Sequence, residues 1–375
     1  MKKEHGTYHW VCVLLLGAAA LLTACSDEAE TTAEETNLLQ LVATTWGMPE
    51  EHSLATRTIS LPDHYVEYKG PGAIGVYMTM ADEAPKMRTF YYEDNQWNSL
   101  VSVKNTTQYY IYGYMPASVE INSAISKRQG ENLNYSNGAV LTFTDLPPVL
   151  AEDFSVITGV LPLNVESAEQ VASIDVAKEA WVKGQFGFLT KQPDQNFVCL
   201  MLDHLYACAR LKFQVDADYG KLRTIKLKEV KLKTSQRVSY PLTVTMIAGE
   251  DYVPVWGEAR TLSNDFVSLF TSKEGVKLPT SSEEATEVCV DGYFVPKENV
   301  AENLVLECTY DVYDNNTEKN SDGNLVRKNC VAINKLPALG AEANQRTLLT
   351  LMVKPTYLYV LSEPDVDNPT ITVGN

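Results

Sequence analysis

From about residue 58 to the end, short apolar runs rich in Val, Ile, Thr, Tyr and Phe alternate with Gly, Pro, Asn and Asp, the texture of an all-β chain. Ala73–Met78, Thr89–Tyr92, Gln108–Tyr114 and Val140–Phe143 read as strands of a first module, and Asp94-Asn95-Gln96 supplies a hairpin turn before Trp97. Leu205 to Val215 alternates cleanly: Leu205, Ala207, Ala209, Leu211, Phe213 and Val215 share one face, and Tyr206, Cys208, Arg210, Lys212 and Gln214 share the other. That pattern predicts one buried and one wet face. Leu304 to Val312 repeats it, and Asp322-Gly323 marks a hairpin tip before Val331-Ala332-Ile333. Between Leu222 and Leu232 the alternation slips by one position, which predicts a β-bulge near Lys228 or Glu229. Helix is sparse, with a turn or two expected in 165–171.

The first 25 residues break this texture. Lys2 and Lys3 precede the short apolar run Val11–Leu22, and Leu22-Thr23-Ala24-Cys25 has the form of a lipobox. The pattern predicts removal of residues 1–24 and a diacylglycerol thioether on Cys25, with a further acyl chain such as palmitate on its amine. The mature chain would then be tethered to the outer membrane by lipid rather than spanning it. A plain secretory peptide or an uncleaved anchor is the alternative. Residues 25–36, rich in Thr, Ala and Glu, read as a disordered tether.

The 375 residues carry a net charge of −17, and Ser26 to Glu51 contains seven acidic residues and no basic one. Such a balance disfavours nucleic acid and anionic membrane as partners. Length beyond the tether suggests two domains, 37–190 and 191–375, joined near the polar, Pro-bearing stretch 190–196. Past Cys25 the cysteines are Cys199, Cys208, Cys289, Cys308 and Cys330, an odd number at irregular spacings. Buried free thiols are expected, with at most one bridge among Cys289, Cys308 and Cys330.

Catalytic patterns are missing from the sequence: it has no Gly-x-Ser-x-Gly elbow, His-Glu-x-x-His, phosphate-binding Gly-rich loop or Cys-x-x-Cys. Cys199-x4-His204-x3-Cys208 has metal-like composition, yet Arg210 beside it suits an ordinary strand better. Asp314 to Glu318 resembles a calcium loop but places Lys319 where an EF-hand needs Gly, and Asn315-Asn316-Thr317 is a glycosylation sequon of little weight in a bacterial envelope protein. No catalytic residue, metal or cofactor is therefore expected. Trp46, Trp97, Trp181 and Trp256 leave a sugar-stacking platform as a second possibility.

Both ends look like exchangeable strands. Leu38 to Trp46 is an apolar strand directly after the tether, and Arg57, the lone basic residue of its polar sequel, makes Arg57–Thr58 a candidate cut for a trypsin-like protease. Loss of that first strand, within 37–57, would leave an apolar groove with unpaired edges. At the other end, Tyr357, Leu358, Tyr359 and Val360, then a Pro-bearing linker, then Ile371 and Val373, form a candidate donor segment within 356–375.

In these features the chain resembles the fimbrillin family, the lipoprotein-derived subunits of type V pili. The resemblance rests on the lipobox at Cys25, Ala55-Thr56-Arg57-Thr58, Leu141 to Pro147, Asp203 to Phe213 and Pro355 to Ser362. It implies two tandem transthyretin-like β-sandwich domains with Greek-key antiparallel sheets, export as a lipoprotein, removal of the first strand after Arg57, and donor-strand assembly through the C-terminal segment. The partners it implies are other pilus subunits, the outer membrane through the lipid, a trypsin-like protease, and surface glycans of host or bacterium. The location it implies is the cell surface, in the fimbrium. The rival reading is a surface lipoprotein that binds glycans and never polymerises.

Overall fold

Alternation in the sequence becomes strands at nearly the expected positions. A computed structural model describes residues 37–46, 65–67, 72–94, 96–98, 101–117, 121–163, 183–191, 196–236, 238–261, 266–281, 288–315, 324–354 and 370–373. Cys25, the Arg57–Thr58 pair, Tyr357 to Val360, the expected turns at 165–171, Asp322-Gly323, Trp181 and the side chain of Trp46 lie outside them.

In chain order the strands begin with β1 (Leu39–Trp46), β2 (Tyr65–Glu67), β3 (Ala73–Thr79), β4 (Lys86–Glu93), β5 (Gln96–Asn98), β6 (Gln108–Met115), β7 (Ser123–Lys127), β8 (Gly138–Leu146) and β9 (Val149–Leu150). They continue with β10 (Ser155–Leu163), β11 (Gly187–Leu189), β12 (Asn196–His204), β13 (Ala207–Val215), β14 (Arg223–Thr234), β15 (Val238–Ile247), β16 (Val253–Trp256) and β17 (Arg260–Thr261). The last are β18 (Val267–Lys277), β19 (Val288–Phe294), β20 (Leu304–Asp314), β21 (Leu325–Lys335), β22 (Arg346–Lys354) and β23 (Thr370–Val373). The described residues also form two short α-helices, α1 (Ala217–Leu222) and α2 (Glu298–Ala301), and a 3-10 turn at Tyr135–Asn137. The protein is all-β.

The strands form four sheets. The largest runs β2-β1-β12-β10-β6-β3-β4-β5, with β11 also on β6, and the second runs β16-β15-β8-β7. Tyr112 and Tyr114 of the first pack with Leu141, Phe143 and Met246 of the second. The other two sheets, β23-β22-β13-β19-β9 and β18-β14-β20-β21, enclose Leu211, Phe213 and Leu351 against Leu227, Leu232, Leu306 and Tyr310. This is sheet-on-sheet packing with inward side chains from both layers. A separate core on the largest sheet draws on both of its halves, with Leu39, Leu41 and Leu200 from one and Ile74, Phe90 and Ile111 from the other.

The expected change of domain at 190/191 does not coincide with a break between sheets. β12 lies inside the largest sheet, β8 pairs with β15, and β9 pairs with β19. The described residues from Asn37 onward form one compact unit.

Two local expectations can be compared directly. The bulge is present, as a register shift between Leu227 and Glu229 against both β18 and β20. The wet face expected over 205–215 is only half wet. Arg210, Lys212 and Gln214 are partly exposed, but Tyr206 and Cys208 are fully buried where β12 hands over to β13 at the corner between two sheets. There Tyr206 packs at a tilt against both Phe154 and Trp256, at 5.4 and 5.7 Å between ring centroids, and its hydroxyl donates to Pro147 O at 2.6 Å.

Candidate functional site

The apolar run Phe197-Val198-Cys199-Leu200-Met201-Leu202 makes β12 a strand buried along its whole length, as a continuous hydrophobic run does when both faces are covered. β1 lies parallel to it, from Leu39 opposite Asn196 to Thr45 opposite Leu202. Alternation in β1 turns Leu39, Leu41 and Ala43 inward, at 2, 6 and 0 % exposure, onto Val198, Leu200 and Leu202.

The outer edge of β1 is covered as well. Its first residues hydrogen-bond a returning segment, Leu39 N to Val101 O at 2.9 Å and Val103 N to Asn37 O at 2.8 Å, and its last pair antiparallel with β2. β1 therefore fills a slot one strand wide, about 9.5 Å between the flanking backbones.

Amides lock the entrance of that slot. Asn196 Nδ2 donates to Asn37 Oδ1 at 2.5 Å, Asn37 Nδ2 donates to Asn105 Oδ1 at 2.5 Å, and Lys191 N donates to Asn196 Oδ1 at 2.7 Å. Nearby, Thr190 Oγ1 accepts from Thr107 N at 2.8 Å and lies 2.5 Å from Lys104 O, to which it donates. Asn37, Asn105 and the pair Lys191 and Asn196 come from three separate segments of the chain, so no sequence spacing announces the set.

Of the expected donor residues, Ile371 and Val373 lie on β23, opposite Val353 and Leu351 of β22. Among the described residues they form one edge of the sheet β23-β22-β13-β19-β9. The described residues thus place β1 and β23 in different sheets of the same chain.

The other candidates separate. Trp97 is buried in the core beneath β1, with Tyr92 edge-on at 5.3 Å, whereas Trp256 packs against Tyr206 in a different core. These two tryptophans do not share a platform, because each fills a hydrophobic layer. The five described cysteines are free thiols, with Cys199, Cys208 and Cys308 buried. Cys199, His204 and Cys208 do not converge on a metal site, and among the described residues no group of acids, His and Cys does.

His204 has another setting. Its Nδ1 lies 2.5 Å from Asp153 Oδ2 and 3.2 Å from Ser155 Oγ, and Ser155 also donates to Asp153. A catalytic triad needs the acid and the nucleophile on opposite ring nitrogens. Here both crowd one nitrogen at the buried end of β10 and β12, which suits a structural polar knot. At the same corner Arg210 grips Asp291 through two bonds of 2.8 Å, raising the guanidinium's affinity for its proton.

Similar solved structures come from Bacteroides species. A fimbrial protein from Bacteroides vulgatus shares 12 % identity over 82 % of this chain and 92 % of its own, with a TM-score of 0.32. An inferred cell adhesion protein from Bacteroides fragilis shares 10 % identity over 90 % and 97 %, with a TM-score of 0.36. No family model and no curated protein matches the chain.

Proposed function

We propose that the chain is a structural subunit of a cell-surface fimbrium, exported as a lipoprotein through Cys25 and assembled by strand exchange after a trypsin-like cut at Arg57–Thr58. The observation that carries this reading is the slot around β1: a terminal strand that completes a core, held on both edges by strands of the same sheet. Its connection to β2 contains Arg57. Cutting that connection leaves β1 held only by hydrogen bonds and three inward side chains, so a second copy can displace it without breaking a covalent bond.

The C-terminal segment 356–375 is the occupant in this reading. Leu358, Val360 and Ser362 alternate as Leu39, Leu41 and Ala43 do, with a small residue at the position where Ala43 is fully enclosed. The opposite register would press Tyr357, Tyr359 and Leu361 into the same three places, and overpacking a filled core is destabilising. Donation also requires β23 to leave β22, which an edge strand of four residues permits.

Trypsin treatment of the intact chain tests the proposal. A single cut at Arg57 followed by a ladder of oligomers supports it. A cut product that stays monomeric favours the rival reading, a surface lipoprotein that binds glycans without polymerising.

A further inference from the structure

The sheet β18-β14-β20-β21 turns Ile225, Leu227, Val230 and Leu232 into the core, and its other face carries lysine. Lys226, Lys228, Lys231 and Lys233 line β14, Lys277 stands opposite Lys226 on β18, and Lys335 stands opposite Val305 on β21. Among the described residues Glu229, Glu307 and Asp311 stand against them, Asp311 opposite Lys226 on β20: Lys231 reaches Glu229 at 2.9 Å and Glu307 at 3.5 Å, and Lys228 reaches Asp311 at 3.5 Å. A lysine-rich face on a chain of net charge −17 runs against the rest of the surface.

Three details mark it as a site. Lys226 and Lys277 face each other directly across paired strands, and like charges so placed destabilise a sheet. Among the described residues Lys226 and Lys233 have no ion pair; their Nζ atoms lie 4.7 Å from the Tyr313 ring centre and 3.9 Å from that of Phe266. Beyond β20, the edge strand β21 leaves Val331 and Ile333 bare, at 48 and 60 % exposure, opposite Thr309 and Glu307.

We propose that this face binds a carboxylated polysaccharide, a chain of uronate sugars laid along β14. On each side of the bulge, same-face lysines of β14 (Lys226 and Lys228, Lys231 and Lys233) stand about 6.7 Å apart, giving a row of cations to an extended polyanion, while Val305, Val331 and Ile333 offer apolar ground to the C–H faces of pyranose rings. A phosphate polymer would use the lysines and ignore the aliphatics. The site is separate from the β1 slot and holds whether or not the chain polymerises.

Titrating the full chain with polygalacturonate, neutral pullulan and inorganic polyphosphate tests this by calorimetry. Polygalacturonate binds, weakens as salt rises from about 50 to about 500 mM, and loses at least about tenfold in affinity in the triple variant K226Q/K233Q/K277Q without a fall in melting temperature. Ile333→Ser weakens polygalacturonate but leaves polyphosphate unaltered. Equal affinity of the triple variant for polygalacturonate overturns the proposal. So does polyphosphate binding as tightly as polygalacturonate, or pullulan binding at all on this face.

Discussion

Asn37 and Asn196 are 159 residues apart in sequence, yet Asn196 Nδ2 donates to Asn37 Oδ1 at 2.5 Å inside the protein. Asn37 is 3 % and Asn196 4 % exposed, and together they pin the entry of β1 to the start of β12. A buried amide that loses its partner costs about 1 to 3 kcal/mol. Asn196→Ala is expected to lower unfolding free energy by that amount in urea titration. A loss under about 0.5 kcal/mol contradicts the lock.

Leu41 is the central inward residue of β1, in contact with the core that includes Leu200 and Phe90. Leu41→Ala should cost about 2 to 5 kcal/mol, the usual range for emptying a packed leucine site. Gln40→Ala, one position away and half exposed, should change stability by under about 0.5 kcal/mol. Equal effects of the two would mean that β1 does not seat in the register described.

Cutting at Arg57 alone should not free β1, because its hydrogen bonds to β12 and to Val101, Val103 and β2 remain. After brief digestion, the N-terminal fragment is expected to co-elute with the body in native buffer and to separate in denaturant. Immediate separation in native buffer would show that the slot does not hold its strand.

Alkaline pH should destabilise the fold. Burial pushes the thiols of Cys208 and Cys308 up from 9.0 to about 12 and raises the phenols of Tyr112, Tyr206 and Tyr293 above their ordinary value of 10.0. These groups keep their protons in the folded state and release them when unfolded. Their contribution is therefore complete below about pH 9 and declines as pH rises from there toward 12. Melting temperature measured from pH 8 to pH 11 should fall; a flat or rising profile contradicts the burial.

How much of this the sequence carries depends on whether the cause is local. The strands of 73–79, 108–115 and 304–314 and the bulge after Leu227 follow from alternation, because the side-chain period of a strand is two and any slip is visible. β1 is legible as the apolar run 38–46, but its parallel pairing with β12 is not, since it joins segments remote in sequence and leaves no spacing to read. The burial of Tyr206 and Cys208 comes from the corner between two sheets rather than from their own neighbours. The amide lock and the Asp153–Ser155–His204 knot are assembled in space from remote segments, so composition alone could not announce either. The lysines of β14 drew no reading from the sequence, because the pairing of Lys226 with Lys277, which gathers their charge, exists only in the folded sheet.

Mixing two variants tests strand exchange most directly. The acceptor lacks residues 356–375 and is cut at Arg57; the donor is full length and uncut. Light scattering after size exclusion should show a one-to-one dimer, with the acceptor's N-terminal fragment released, from this mixture and not from acceptor alone. A dimer that also forms when the donor lacks 356–375, or none with the intact donor, contradicts the account.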